Sequence, residues 1–138
     1  MIKKYKYDDL THLPVRRDFR KALDEYAKGF TPFTLYIIDL NGLKTINDNL
    51  SYEDGDKFLL KVVNELSERD GTLFRLGGDE FTLISETEES IISTEEYCVG
   101  RSDFEESKPA KEYFKAAEKQ LKEEKLRFYE EQGICRRK

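Results

Sequence analysis

Two strand-forming runs, Thr72-Leu73-Phe74 and Phe81-Thr82-Leu83-Ile84, are separated only by Arg75-Leu76-Gly77-Gly78-Asp79-Glu80. A short spacer with two adjacent glycines predicts a tight hairpin, because glycine alone enters φ > 0 at little steric cost. The hairpin makes these strands antiparallel neighbours and sets Asp79 and Glu80 at its tip. Two adjacent carboxylates at a bend repel each other unless a cation or a positive ligand sits there. Taken alone, the run fits a solvated acidic turn equally well.

Phe33 to Ile38 is apolar and β-branched almost throughout and stops at Asp39. Such a run reads as a central strand covered on both faces. Asp39 then lies at the carboxyl end of the strand, the edge where open α/β sheets bind ligands. Before it, Phe19, Leu23 and Tyr26-Ala27 recur at helical spacing over Arg16 to Lys28, and Gly29 follows as a stop. After the Asn41-Gly42 turn, a short helix is predicted over Leu43 to Asn49. A longer one follows over Glu53 to Arg69, with Phe58, Leu59, Val62, Val63 and Leu66 as its apolar stripe. Beyond Ser85 come an acidic loop (Glu86 to Glu89), a short strand end at Ser90-Ile91-Ile92 and a strand at Tyr97 to Gly100. A charged helix from Pro109 to Gln132 is stopped by Gly133, and a basic tail runs from Cys135 to Lys138. This order predicts an α+β fold, sandwich-like, with a central antiparallel sheet of polymerase-palm or ferredoxin-like type and flanking helices.

The 138 residues suit one domain spanning 1–138. Charged residues make up 38% of the chain, yet 9 Phe and 8 Tyr supply a core and argue against disorder. A net charge of -5 argues against a nucleic-acid duplex as partner. No apolar run is long enough to span a bilayer, and Met1-Ile2-Lys3-Lys4-Tyr5 lacks a signal-peptide core, so no membrane partner is expected. Cys98 and Cys135 lack metal-type spacing and suit a reducing compartment, and His12 is alone. A cytoplasmic location is expected.

In a palm topology the Asp39 strand and the Asp79-Glu80 hairpin are sheet neighbours. Three carboxylates converging there without histidine are hard oxygen ligands suited to Mg²⁺ or Mn²⁺. Such a site holds a nucleoside triphosphate for attack by a 3′-hydroxyl on its α-phosphate. Backbone amides at Asn41-Gly42-Leu43, running into a helix start, favour phosphate, and Lys44 could neutralise it. Lys44 is equally well a solvated helix lysine. Asn47 and Asp56 could together satisfy a guanine edge. Both residue types also favour helix caps, the better account on residue chemistry alone.

At this point the chain resembles the GGDEF domain, the family of diguanylate cyclases. Asp8-Asp9-Leu10-Thr11-His12-Leu13-Pro14-Val15-Arg16-Arg17 resembles its D-x-L-T-G-L-P-N-R-R opening. Ile38 to Asp48 resembles I-D-x-D-x-F-K-x-I-N-D, Gly55-Asp56-Lys57-Phe58-Leu59 resembles G-D-x-x-L, and the signature Arg75 to Phe81 is intact. The match is strongest over 8–84.

The resemblance implies that Asp39, Asp79 and the Leu40 carbonyl bind metal, with Glu80 the adjacent acid for metal or 3′-hydroxyl activation. It implies that Gly77-Gly78 let the hairpin approach the nucleotide, and that Asn47 and Asp56 read guanine. Gly42, Leu43 and Lys44 would hold phosphates, and Lys125, in a segment resembling A-D-x-A-L-Y-x-A-K, falls on a phosphate-binding lysine. The implied reaction converts two GTP into cyclic di-GMP and two pyrophosphates across a homodimer.

Several positions depart from the pattern. Ser51-Tyr52 replace the usual Gly-His and Val15 replaces Asn. Glu68 and Gly71 stand where an R-x-x-D product-inhibition site would lie, so no such site is expected. The stretch Glu86 to Glu96 is too short for the helix and strand the family places there, so residues 85–138 form an abridged C-terminal part. Two other functions remain compatible with the sequence: a catalytically inactive GTP-binding or interaction module, and another palm-type nucleotidyltransferase making a different oligonucleotide.

Overall fold

A computed structural model describes residues 7–87 and 90–131. Helix α1 (Arg16–Lys28) precedes strand β1 (Thr34–Leu40), then helices α2 (Leu43–Asn49) and α3 (Tyr52–Ser67). The hairpin strands β2 (Thr72–Gly77) and β3 (Glu80–Ser85), strand β4 (Tyr97–Asp103) and helix α4 (Ala110–Glu131) complete the order. The sheet runs β2-β3-β1-β4, and every pairing is antiparallel. β1 is therefore interior, and all its residues from Leu35 to Leu40 are buried, as an apolar run on both faces requires.

Strand parity divides the core into two layers. Tyr36, Ile38, Leu40, Phe81 and Leu83 face α3, which presents Leu59, Val62, Val63 and Leu66. Leu35, Ile37, Phe74, Leu76 and Ile84 face the other way, against Phe19 and Leu23 of α1 and Tyr113, Ala117 and Leu121 of α4. Because side chains alternate along a strand, Asp39 shares the α1/α4 face with Leu35 and Ile37. Glu80 shares it with Thr82 and Ile84. α4 comes very close to that face at Gly100 of β4, where an added Cβ would lie 2.0 Å from the Ala117 carbonyl oxygen and 2.6 Å from the Leu121 amide nitrogen.

The hairpin expectation holds, but its stated reason does not. Among the described glycines, positive φ occurs at Gly42 and Gly71, not at Gly77 or Gly78. Here β2 and β3 are offset by an irregularity between Arg75 and Gly77, so Arg75 pairs with Phe81 and Gly77 with Glu80. This β-bulge supplies the bend and re-aims the tip. Arg75 braces the turn: its Nη2 and Nε donate to the Gly78 carbonyl at 2.8 and 3.3 Å, and its Nη1 to Asp8 Oδ2 at 2.8 Å.

Ser90-Ile91-Ile92 belongs to no strand, and β4 extends three residues beyond the Tyr97 to Gly100 prediction. The described part of the 86–96 connection holds neither helix nor strand. It is anchored instead by Ile91, buried in the α3-side core, and by Asn41. The Asn41 amide donates to the Glu96 carbonyl at 2.8 Å, and its side chain donates to the carbonyls of Thr94 and Glu95. The predicted Gln132-Gly133 helix stop and the Cys135 to Lys138 tail lie outside the described residues, as does the Met1 to Tyr5 start.

Candidate functional site

The centre of the site is Asp39, which is only 8% exposed. Glu80 lies directly opposite it in the β1–β3 register, and the Leu40 amide donates to the Asp79 carbonyl at 3.0 Å. All three acids thus meet at one end of the sheet. Lys125 of α4 reaches Asp39, with Nζ 2.6 Å from Oδ2. The other carboxylate oxygen, Oδ1, is buried without a hydrogen-bond partner.

Burial pushes the Asp39 pKa up from 3.8 to about 6. The hydrogen bond from Lys125 opposes this, and the nearby Asp79 charge adds to it. For Lys125, burial works against the charge, but Asp39 more than offsets that and the pKa is raised. The pair is asymmetric: Lys125 is held charged, whereas Asp39, deeper and beside Asp79, is not fully compensated. Burial also raises the Glu80 pKa, against the pull of Arg16, whose Nη2 lies 3.8 Å from Glu80 Oε1.

The donor set is all oxygen at its acidic end, and an unpartnered buried carboxylate oxygen suits a hard divalent cation. Mg²⁺ is commonly held by one or two carboxylates, with phosphate and water completing its shell. The expected convergence of three carboxylates is corrected in one respect. Among the described residues no three acidic, His or Cys side chains are gathered closely enough to hold an ion. Glu80 faces Arg16 at 3.8 Å, and Asp39 engages Lys125 at 2.6 Å.

At the junction of α2 and α3, Asn47 of α2 lies against the backbone of α3 at Gly55. A Cβ there would fall 1.7 Å from Asn47 Oδ1, so only glycine permits the contact, and Asp56 is the next residue. The capping alternative fails for both. Gly42 and Leu50 cap α2, and Ser51 caps α3 by accepting from the Asp54 amide. Ser51, one of the departures from the family pattern, thus gains a structural role. Lys44 is exposed in the first turn of α2 beside Leu43. The Asn41 amide is not available to phosphate, being bonded to Glu96, so that part of the predicted cradle reduces to Gly42, Leu43 and Lys44. At Gly77 and Gly78 an added Cβ would meet nothing within 4 Å, leaving the face of the tip clear.

Sequence reasoning missed Arg16, Asn41 and the bracing role of Arg75. Arg16 and Arg75 were visible only as members of longer motifs. For Asn41 only the backbone amide was expected to act, on phosphate, and no local pattern marked its side-chain hold on the Thr94 and Glu95 carbonyls.

An antiparallel palm-type sheet with helices on both faces and carboxylates at one end defines a nucleotidyl-cyclase-like class. The family model described as "Diguanylate cyclase, GGDEF domain" matches residues 5–113, and the chain belongs to the GGDEF family. Curated relatives agree over shorter spans. Diguanylate cyclase DgcP of Escherichia coli is 36% identical over 85 residues, covering 56% of this chain and 25% of the relative. The bifunctional diguanylate cyclase/cyclic di-GMP phosphodiesterase MucR of Pseudomonas aeruginosa is 32% identical over 90 residues, covering 60% of this chain and 13% of the relative. This chain therefore spans a quarter or less of the length of these relatives.

The fold matches solved GGDEF domains. One is a microbial GGDEF domain studied with cyclic di-GMP (TM-score 0.77, 24% identity, covering 89% of this chain and 94% of that one). Another is the GGDEF domain of DgcB from Caulobacter crescentus in complex with cyclic di-GMP (TM-score 0.75, 20% identity, 91% of each chain). Among the described residues no helix is long and apolar enough to cross a membrane.

Proposed function

We propose that this chain is a diguanylate cyclase of the cytoplasm, a single GGDEF unit over 1–138 that condenses two GTP into cyclic di-GMP. The observation that carries this reading is the buried, unpartnered Oδ1 of Asp39, opposite Glu80 and beside Asp79 at the sheet end. Asp39, Asp79 and the Leu40 carbonyl would hold Mg²⁺ or Mn²⁺. Bound there, such an ion would neutralise charge at the triphosphate and lower the pKa of an attacking hydroxyl.

Asn47 and Asp56 would hold the guanine edge, positioned by the close contact at Gly55. Gly42, Leu43 and Lys44 would bind the phosphate tail, and Lys125 would add a further positive charge. Gly77 and Gly78 would let the nucleotide lie against the hairpin. Glu80, with its raised proton affinity, would accept the 3′-hydroxyl proton. That oxygen then bonds the α-phosphorus of the second GTP, the bond to the β-phosphate breaks, and pyrophosphate leaves. A second, reciprocal attack closes the ring, so two copies must face each other, each holding one GTP. With Glu68 and Gly71 in place of an R-x-x-D pair, product should not inhibit.

The test is incubation of concentrated protein with GTP and Mg²⁺, followed by mass analysis. Cyclic di-GMP is expected, and its absence at concentrations that form dimers refutes catalysis. A second reading, a GTP-binding module without turnover, is favoured by one observation: Asp39 is engaged by Lys125. Tight binding of GTP in calorimetry without product supports that reading instead.

A further inference from the structure

We propose that Lys125 is a built-in counter-ion that keeps the divalent cation off Asp39 until a triphosphate arrives. Metal and nucleotide then bind interdependently instead of separately. This rests on the metal–GTP reading of the site and deepens it.

The placement of Lys125 is not that of an incidental surface ion pair. Ala117, Leu121 and Lys125 are spaced four apart and form one stripe of α4. The first two residues are buried against the sheet, and Gly100 lets the helix backbone approach within van der Waals contact there. One turn further on, the same stripe brings Lys125 over the end of β1. Its Nζ lies 2.6 Å from Asp39 Oδ2, and Ser93 holds the neighbouring Glu124 by a 2.7 Å hydrogen bond. The ammonium occupies one oxygen of the carboxylate whose other oxygen has no partner.

A divalent ion joining Asp39 must sit within a few ångströms of that ammonium. Like charges so close, in a half-buried site, repel strongly. Lys125 can leave only for another anion. The described carboxylates that act on it are Asp39, Asp79 and Glu80. A triphosphate brings new negative charge to the same place. Lys125 can then pass from carboxylate to phosphate while the ion takes Asp39. Bare metal binds weakly, and each ligand strengthens the other by the same factor.

The experiment measures Mn²⁺ affinity by electron paramagnetic resonance, with and without a non-reacting GTP analogue. It compares the wild type with Lys125→Met, which keeps the helix propensity and the aliphatic stem, and Lys125→Arg, which keeps the charge. Lys125→Met should bind Mn²⁺ alone about tenfold more tightly than the wild type, and the gain in Mn²⁺ affinity on adding the analogue should shrink by a similar factor. Lys125→Arg should behave as wild type. Unchanged Mn²⁺ affinity in folded Lys125→Met, or an equal gain in Lys125→Arg, overturns the inference while leaving the cyclase reading intact. The cyclase reading fails separately if no variant, the wild type included, binds the analogue with Mn²⁺.

Discussion

Replacing Asp39 by Asn should stabilise the metal-free protein at neutral pH while abolishing its function. The carboxylate is 8% exposed, has one oxygen unpartnered, and carries a pKa raised from 3.8 to about 6. A carboxyl with a higher pKa folded than unfolded binds its proton more tightly in the native state. Its contribution to stability is therefore fully present below pH about 4 and is lost as pH rises through about 6. Two pKa units correspond to about 3 kcal/mol, the ceiling on what the ionised Asp39 costs at pH 7.5. Asn keeps the volume and an acceptor for Lys125 without the charge.

Urea unfolding in EDTA at pH 4.5, 6 and 7.5 tests this, with stability read from midpoints at constant m. The Asn variant should gain about 1–3 kcal/mol over wild type at pH 7.5, with the difference closing towards pH 4.5. Added Mg²⁺ with GTP should raise the wild-type midpoint and leave the variant unmoved. If the variant is equal or less stable at pH 7.5, the ion pair with Lys125 outweighs the burial. Asp39 would then be a structural residue and not a destabilised site group.

Two further substitutions probe separate parts of the molecule. Gly55→Ala should gain about 1 kcal/mol in helix propensity but force Asn47 to rotate away. Stability measured by thermal melting should stay within about 1 kcal/mol of wild type, while calorimetry should show GTP affinity falling at least about tenfold; unchanged affinity would remove Asn47 as a base reader. His12 sits at φ 62 where the family pattern has glycine, so His12→Gly should raise stability by about 1 kcal/mol. A lower melting temperature would contradict strain at that turn.

Much of the fold could be read in the sequence because local patterns agreed with it. The apolar run ending at Asp39 forced an interior strand, and helical spacing set α1, α2 and α3 to within two residues. The 86–96 connection was less legible. Its structure depends on Ile91 entering the core and on carbonyls captured by Asn41, contacts between residues about fifty positions apart.

The sequence by itself placed acids on a strand end and a hairpin tip, and an Asn and a Gly-Asp pair on adjacent helices. Only the tertiary structure decided how they are engaged. Strand parity put Asp39 and Glu80 on the α1/α4 face, and there Arg16 and Lys125, far away in sequence, meet them. The charge state of a buried carboxylate depends on which distant side chains the packing brings within a few ångströms, and no local pattern records that distance.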